Sequence, residues 1–261
     1  MDSPLYVVGD VHGYRTELTD ALRTAGLIDG AERWTGGRAR VWFLGDYTDR
    51  GPDGVGVLDL VMRLAGEAAA AGGLVDGLLG NHDVLLLAVR RFGAAAVPGR
   101  PEPRGFLDVW RRNGGHDGDL ARLTASHARW LAARPAAVLA DDHLLLHSDT
   151  ARYLELGTTI AAINAAVLAE LASDDPTTVS DCFWRFTDRG AFVNGGRQAA
   201  GLLATLGGRR IVHGHSTIPE AFGVPSGDVT APHAYAGGLV LAVDGGGYLG
   251  GPLLVTRLTT S

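Results

Sequence analysis

Five apolar runs in this chain stop abruptly at short polar stretches. Leu5-Tyr6-Val7-Val8 meets Gly9-Asp10-Val11-His12-Gly13, and Val41-Trp42-Phe43-Leu44 meets Gly45-Asp46-Tyr47-Thr48-Asp49-Arg50-Gly51. Residues 74–79 meet Gly80-Asn81-His82-Asp83. Leu144-Leu145-Leu146 precedes His147, and Arg210-Ile211-Val212 precedes His213-Gly214-His215. Each run has strand length and predicts a buried strand ending in a loop. Apolar residues three and four apart predict helices over 16–25, 54–71, 83–96, 160–171 and 198–206. Residues 106–134 read as a helix in two pieces, broken near Gly114-Gly115, after an exposed loop at 97–105. A hairpin is expected at 136–149, a compact aromatic and charged segment at 181–192, and a loop at 219–236. Strands at 239–243 and 253–258 close the chain. Strands alternating with helices predict an α/β protein, and such proteins bind ligands at the carboxyl ends of their strands.

Length and composition narrow this picture. The 261 residues suit one domain over 1–261, with 97–134 inserted as a helical cap. Hydrophobic residues make up 46%, enough for a substantial core, and the net charge of -6 argues against general nucleic-acid binding. All 23 basic residues are arginine. Arg90, Arg91, Arg100, Arg104, Arg111 and Arg112 gather around the cap, as a solvated face or as a positive rim for an anionic substrate. The lone Cys182 permits no internal disulfide and is expected to be buried and inert. No apolar run is long enough for a membrane span, and the first residues carry no leader pattern, so a cytoplasmic location is expected.

The polar stretches carry the chemistry. Asp10 and His12 are two apart on an extended segment and so project to one side, where both can reach one metal ion. Asp46 has two oxygens and can bridge to a second ion, which Asn81, His147 and His215 can complete. Oxygen and imidazole donors without thiolate suit Mn²⁺, Fe or Zn²⁺. Two such ions can activate water and clamp a phosphoryl group. In His213-Gly214-His215 we choose His215 as the ligand, at the turn from strand to loop, and read His213 as a packing residue. His116, His127, His143 and His233 are read as surface or packing histidines.

The series GDVHG, GDYTDRG, GNHD, a later His after an apolar run, and GHS resembles the phosphoprotein phosphatase family of metallophosphoesterases. That family includes serine/threonine phosphatases and symmetrical diadenosine tetraphosphate hydrolases. The glycine-rich end from Val243-Asp244-Gly245 to Leu253 resembles the family's last hairpin, so the likeness covers nearly the whole chain. It implies a four-layer α/β/β/α sandwich with two divalent ions, Mn²⁺ foremost, at one edge. It also implies that a hydroxide bridging the ions attacks phosphorus directly. By the same resemblance His82 would be the general acid, Asp49 would orient it, and Arg50 would hold phosphate oxygens. Asn81 would contact substrate as well as metal. A second phosphate-binding arginine is expected at Arg189, with Arg185 as the alternative; either could instead pair with Asp181 or Asp188. Two positions depart from the family pattern. Asp83 stands where Glu is usual, and Ser148-Asp149 follow His147 where two glycines are usual.

The resemblance implies a phosphorylated protein or a small phosphorylated or nucleotide substrate. Dephosphorylation of protein serine and threonine is the first expectation and dinucleoside polyphosphate hydrolysis the second. A non-catalytic phosphate-binding module is disfavoured because no ligand or acid is missing. A nucleotide substrate would call for an aromatic platform, for which Phe106, Trp110 and Trp130 are the candidates, unless they form the cap's own core.

Overall fold

The computed structural model describes residues 3–96, 105–194 and 196–259. The first half runs β1 (Leu5–Val8), α1 (Arg15–Thr24), β2 (Arg40–Phe43), α2 (Gly54–Ala70), β3 (Leu74–Gly77) and α3 (Asn81–Phe92). Three short helices follow: α4 (Phe106–Arg112), α5 (Asp117–Arg122) and α6 (Ala125–Ala132). The second half runs β4 (Ala137–Ala140), β5 (His143–Leu146), α7 (Ile160–Ala172), α8 (Pro176–Thr187), α9 (Arg197–Leu206) and β6 (Arg210–His213). It ends with α10 (Ile218–Phe222), β7 (His233–Tyr235), β8 (Val240–Ala242) and β9 (Val255–Leu258).

The strands form two sheets, ordered β3-β2-β1-β9 and β4-β5-β6-β8-β7. In the first, β1, β2 and β3 are parallel, with Val7 opposite Trp42 and Trp42 opposite Asp76, and β9 closes it antiparallel to β1. In the second, β5, β6 and β8 are parallel, with β4 and β7 as antiparallel edges. The period-two alternation of strand side chains builds the layers. Leu5 and Val7 of β1 join Leu145, Val212, Leu241 and Leu258 in a core drawn from both sheets. Their alternates Val8, Leu144, Leu146, Ile211 and Val240 belong to a larger core shared with the helices. The result is the expected α/β/β/α sandwich.

Several elements differ from expectation, each for a local reason. β3 stops at Gly77 because the Leu79 N–H leaves the ladder and donates to the Pro135 carbonyl (2.9 Å). α3 ends four residues early, at Gly93, whose φ of 57° favours glycine. The 106–134 region breaks twice, the second time where the Thr124 side chain and His127 cap each other at the start of α6. The segment expected at 181–192 is largely helix. Asp175 caps it by accepting the Thr177 N–H, Pro176 occupies its first turn, and Val179, Cys182, Phe183 and Phe186 are buried. The 219–236 region holds α10 and the edge strand β7. The closing strand begins at Val255, two residues late.

Helices α4 and α6 pack on α3, and α5 packs on α2. Arg100 and Arg104 lie outside the described residues. Arg90 donates to the Leu123 carbonyl, Arg91 to the Leu171 and Ala172 carbonyls and to Asp174, and Arg111 to Asp117. These three arginines are engaged within the fold and do not form a free positive rim. Cys182 is buried, and burial pushes its thiol up and out of reactivity. No described helix is long and apolar enough to cross a membrane.

The layer between the sheets predicts a large cost for truncation. Leu145→Ala is expected to lower unfolding stability by about 2–5 kcal/mol, read from the urea midpoint at constant slope. A shift below about 1 kcal/mol would mean that the layer tolerates collapse at this position.

Candidate active site

Loops from the carboxyl ends of β1, β2, β3, β5 and β6 meet at one edge of the sandwich. The Val11 and His12 N–H groups donate to the Asp46 carbonyl (3.1 and 2.8 Å), and the Gly51 N–H returns to the His12 carbonyl (2.8 Å). His12, Asp46, Asp49, Arg50 and His215 all have positive φ, between 48° and 70°. That conformation costs a non-glycine residue about 1–2 kcal/mol and persists only where surrounding bonds impose it. Glycines let the loops touch: a Cβ at Gly80 would collide with the Asp46 carboxylate, and one at Gly214 with Asp10.

One donor atom each from Asp10, Asp46, His147 and His215 lies within 4.8 Å of all the others. His12 Nε2 is 3.8 Å from Asp10 Oδ2 and 3.6 Å from Asp46 Oδ2. Backbone carbonyls set the imidazole tautomers, because a carbonyl can only accept. His12 Nδ1 donates to Thr48 (3.0 Å), His147 Nδ1 to Leu44 (2.8 Å) and His215 Nε2 to Thr187 (3.1 Å). The opposite nitrogen of each ring is then left with a lone pair for a metal. Asp10 Oδ1 accepts the His215 N–H (2.9 Å) and Asp46 Oδ1 the His82 N–H (2.9 Å), which leaves Oδ2 of each carboxylate for an ion.

The charges fit bound cations. Burial lowers His12, His147 and His215 from their ordinary value, so all three favour the neutral form a metal requires. Burial, with Asp244 and Asp46 nearby, raises Asp10. Burial would raise Asp46 too, but positive charge on the surrounding imidazoles pulls its carboxyl below the usual range, the same pull a bound cation would exert. Asn81 Oδ1 faces His147 Nε2 at 2.9 Å. With the His147 proton on Nδ1, two lone pairs oppose each other there, and a shared cation relieves them. The donor set therefore suits divalent metal ions.

Beside this cluster, His82 Nδ1 donates to Asp49 Oδ2 (2.7 Å), and Arg50 Nη2 donates to His82 Nε2 (3.3 Å). Asp83, the shortened position, is fully buried and accepts the N–H groups of Gly80 (2.8 Å), Asp46 (2.9 Å) and Tyr47 (3.2 Å). Its carboxylate ties the second loop to the third.

The family model for calcineurin-like phosphoesterases matches residues 3–219. The chain belongs to the calcineurin-like phosphoesterase family. Shewanella-like protein phosphatase 2 of Arabidopsis thaliana is 40% identical over 81 residues, 31% of this chain and 21% of that protein. A symmetrical bis(5'-nucleosyl)-tetraphosphatase of Aromatoleum aromaticum is 30% identical over 161 residues, 53% of this chain and 52% of that protein. The chain thus spans from about a fifth to about half the length of these curated relatives. Among solved structures, the cold-active protein-tyrosine phosphatase of a psychrophilic Shewanella species shares the fold. Its TM-score is 0.72 at 21% identity, covering 97% of this chain and 74% of that one.

In this phosphoesterase the two arginine candidates separate. Arg185, the alternative candidate, donates to Glu170 (2.8 Å) and Glu155 (3.3 Å) and is engaged in an ion pair. Its partners are neither Asp181 nor Asp188. Arg189 is exposed, and its charge helps burial lower His147 and His215. Asp149 holds that loop. It accepts from the Gly190 N–H (2.8 Å) through Oδ2 and from the Ser216 hydroxyl (2.5 Å) through Oδ1, linking the Arg189 loop to the Gly214-His215-Ser216 turn.

His213 is buried, with Nε2 2.8 Å from the Tyr235 hydroxyl, as expected of a packing residue. His127 and His143 are buried too, His116 is exposed, and His233 stacks on Phe222 with centroids 4.1 Å apart. Two residues at this edge, Tyr248 and Asp244, were not singled out as candidates from the sequence, and a third, Trp110, was named only as a base platform or a cap core residue. The Tyr248 ring lies under the Arg50 guanidinium (3.8 Å), and its hydroxyl donates to Glu220 (3.0 Å). Asp244 is buried with Oδ2 unpartnered among the described residues, and burial pushes its carboxyl up to about 7. Trp110 Nε1 donates to Asp49 Oδ1 (2.7 Å). The closing glycine-rich segment was the available signal for the first two; Trp110 had only its place in the cap.

Removing the Asp83 carboxylate strands three buried N–H groups. Asp83→Ala is expected to cost about 3 kcal/mol or more and to lower the retained divalent metal, read by thermal melting and elemental analysis. Unchanged values for both would show that the two loops hold together without it.

Proposed function

We propose that this phosphoesterase is a dinuclear-metal phosphomonoesterase acting on phosphoserine and phosphothreonine in proteins, with Mn²⁺ as the working ion. The convergence of Asp10, Asp46, His147 and His215 within 4.8 Å beside the Asp49–His82 pair carries this reading. Divalent ions at this cluster supply Lewis acidity for the phosphoryl oxygens and activate the attacking water.

The chain's own residues do the rest. Arg50 and Arg189 meet the phosphoryl oxygens, and the planar guanidinium of Arg50 is steadied on the Tyr248 ring. The Asn81 amide lies at the same edge and can contact substrate. His82 keeps Nδ1–H on Asp49, and its Nε2, now 3.3 Å from Arg50 Nη2, serves the leaving oxygen once Arg50 turns to the phosphoryl group. Once protonated, His82 gives that proton to the departing alkoxide, a contribution of about 10²- to 10⁴-fold.

The cap aromatics weigh against a nucleotide substrate. Phe106 and Trp110 are buried, and Trp130 packs on Tyr47 and Arg134, so none is free to stack on a base. The likeness to the Aromatoleum tetraphosphatase favours the dinucleotide as the competing substrate.

The test is phosphate release with Mn²⁺ on a phosphothreonine peptide and on diadenosine tetraphosphate, with Asp46→Asn as the blank. Preference for the peptide is expected; preference for the dinucleotide would overturn the substrate and leave the metal chemistry standing. In the same assay His82→Ala should slow peptide turnover by about 10²-fold at unchanged metal content. Arg50→Ala should cost about 10²-fold or more. An Arg50→Ala enzyme with near-normal turnover would assign that side chain a purely structural part.

A further inference from the structure

The stretch from α4 into α5 touches the catalytic turn at several polar groups. Trp110 is fully buried, and its indole Nε1–H donates to Asp49 Oδ1 at 2.7 Å. The other oxygen, Oδ2, takes the His82 Nδ1–H at 2.7 Å. One indole and one imidazole thus fix the two ends of the carboxylate. The next residue is gripped through its backbone: the Arg50 N–H donates to the Gly114 carbonyl (2.7 Å), and His116 Nε2 is 3.3 Å from the Arg50 carbonyl. Farther on, the buried Asp119 carboxylate accepts the Gly54 and Val55 N–H groups at the start of α2 (2.9 and 3.2 Å). Gly115 lies so close to the indole that a Cβ there would overlap the ring.

These bonds surround two consecutive left-handed residues, Asp49 (φ 70°) and Arg50 (φ 65°). Such a turn persists only where its surroundings over-determine it. A displacement of about 1 Å at a catalytic group can cost about 10²-fold. We propose that the inserted helices act as a brace for proton delivery, with Trp110 as a positioning residue that holds Asp49, and through it His82, against the leaving oxygen. The inference rests on the phosphomonoesterase reading above. Trp110 itself meets no substrate; it acts through Asp49.

Leaving-group dependence separates this role from simple packing. p-Nitrophenolate departs with little help from an acid, whereas the alkoxide of phosphothreonine needs the proton. Trp110→Phe keeps a buried ring and deletes only the indole N–H. It is expected to lower kcat about tenfold on a phosphothreonine peptide and less than about threefold on p-nitrophenyl phosphate. Mn²⁺ content should match wild type. In an Asp49→Asn background the same substitution should add no further leaving-group dependence. If the Phe variant folds poorly, Gly115→Ala, which keeps the indole but presses on its ring, should give the same selective loss. Equal losses on both substrates, or none on either, would overturn the brace. A wild-type protein inactive on both would overturn the phosphomonoesterase reading and this inference together.

Discussion

One carboxylate holds the catalytic edge together. Asp83 accepts three buried N–H groups, from Gly80 in its own loop and from Asp46 and Tyr47 in the loop after β2. Asp46 reciprocates, accepting the His82 N–H through Oδ1. Two acidic residues on neighbouring loops thus bind each other's backbone; burial and the nearby Asp46 raise the Asp83 carboxyl, and the three N–H donors act against that. The left-handed backbone of Asp46 and the orientation of its free Oδ2 depend on this exchange. The aspartate is shorter than the glutamate usual in the family, yet it reaches all three donors because the glycine at position 80 brings the loops into contact.

Around that weld, electrostatic balance depends on backbone carbonyls. Thr48, Leu44 and Thr187 each take an imidazole N–H and turn the other ring nitrogen inward. Burial keeps these rings neutral, while Asp10, Asp46 and Asp244 crowd the same edge. Such a cluster of acceptors with few donors is costly unless cations share it. The third carbonyl comes from the last turn of α8, so a helix absent from the sequence-based expectation helps orient a ligand.

The proposed phosphate side of the site is built from reach. Arg50 is held on Tyr248, which is anchored through Glu220 to the start of α10. Arg189 projects from a loop held by Asp149, at the position where glycines are usual in the family. The Asp149 carboxylate joins this loop to the Gly214-His215-Ser216 turn.

Much of this was legible in the chain because its signals are local. A strand-length apolar run before a glycine-flanked Asp or His predicts both the strand and the side chains at its end, so Asp10, His12, Asp46, Asn81, His82, His147 and His215 could be named without coordinates. Other choices depended on contacts distant in sequence. Arg189 was the first choice and Arg185 the alternative, and only the fold shows that α8 turns Arg185 toward Glu155 and Glu170. Tyr248 meets Arg50 across nearly two hundred residues, and Trp110 finds Asp49 only when α4 folds back over α3. Local pattern marked the candidate groups that the fold gathers at one edge; packing between remote segments decided which groups hold them, because a hydrogen bond to a distant partner leaves no periodic trace in the sequence.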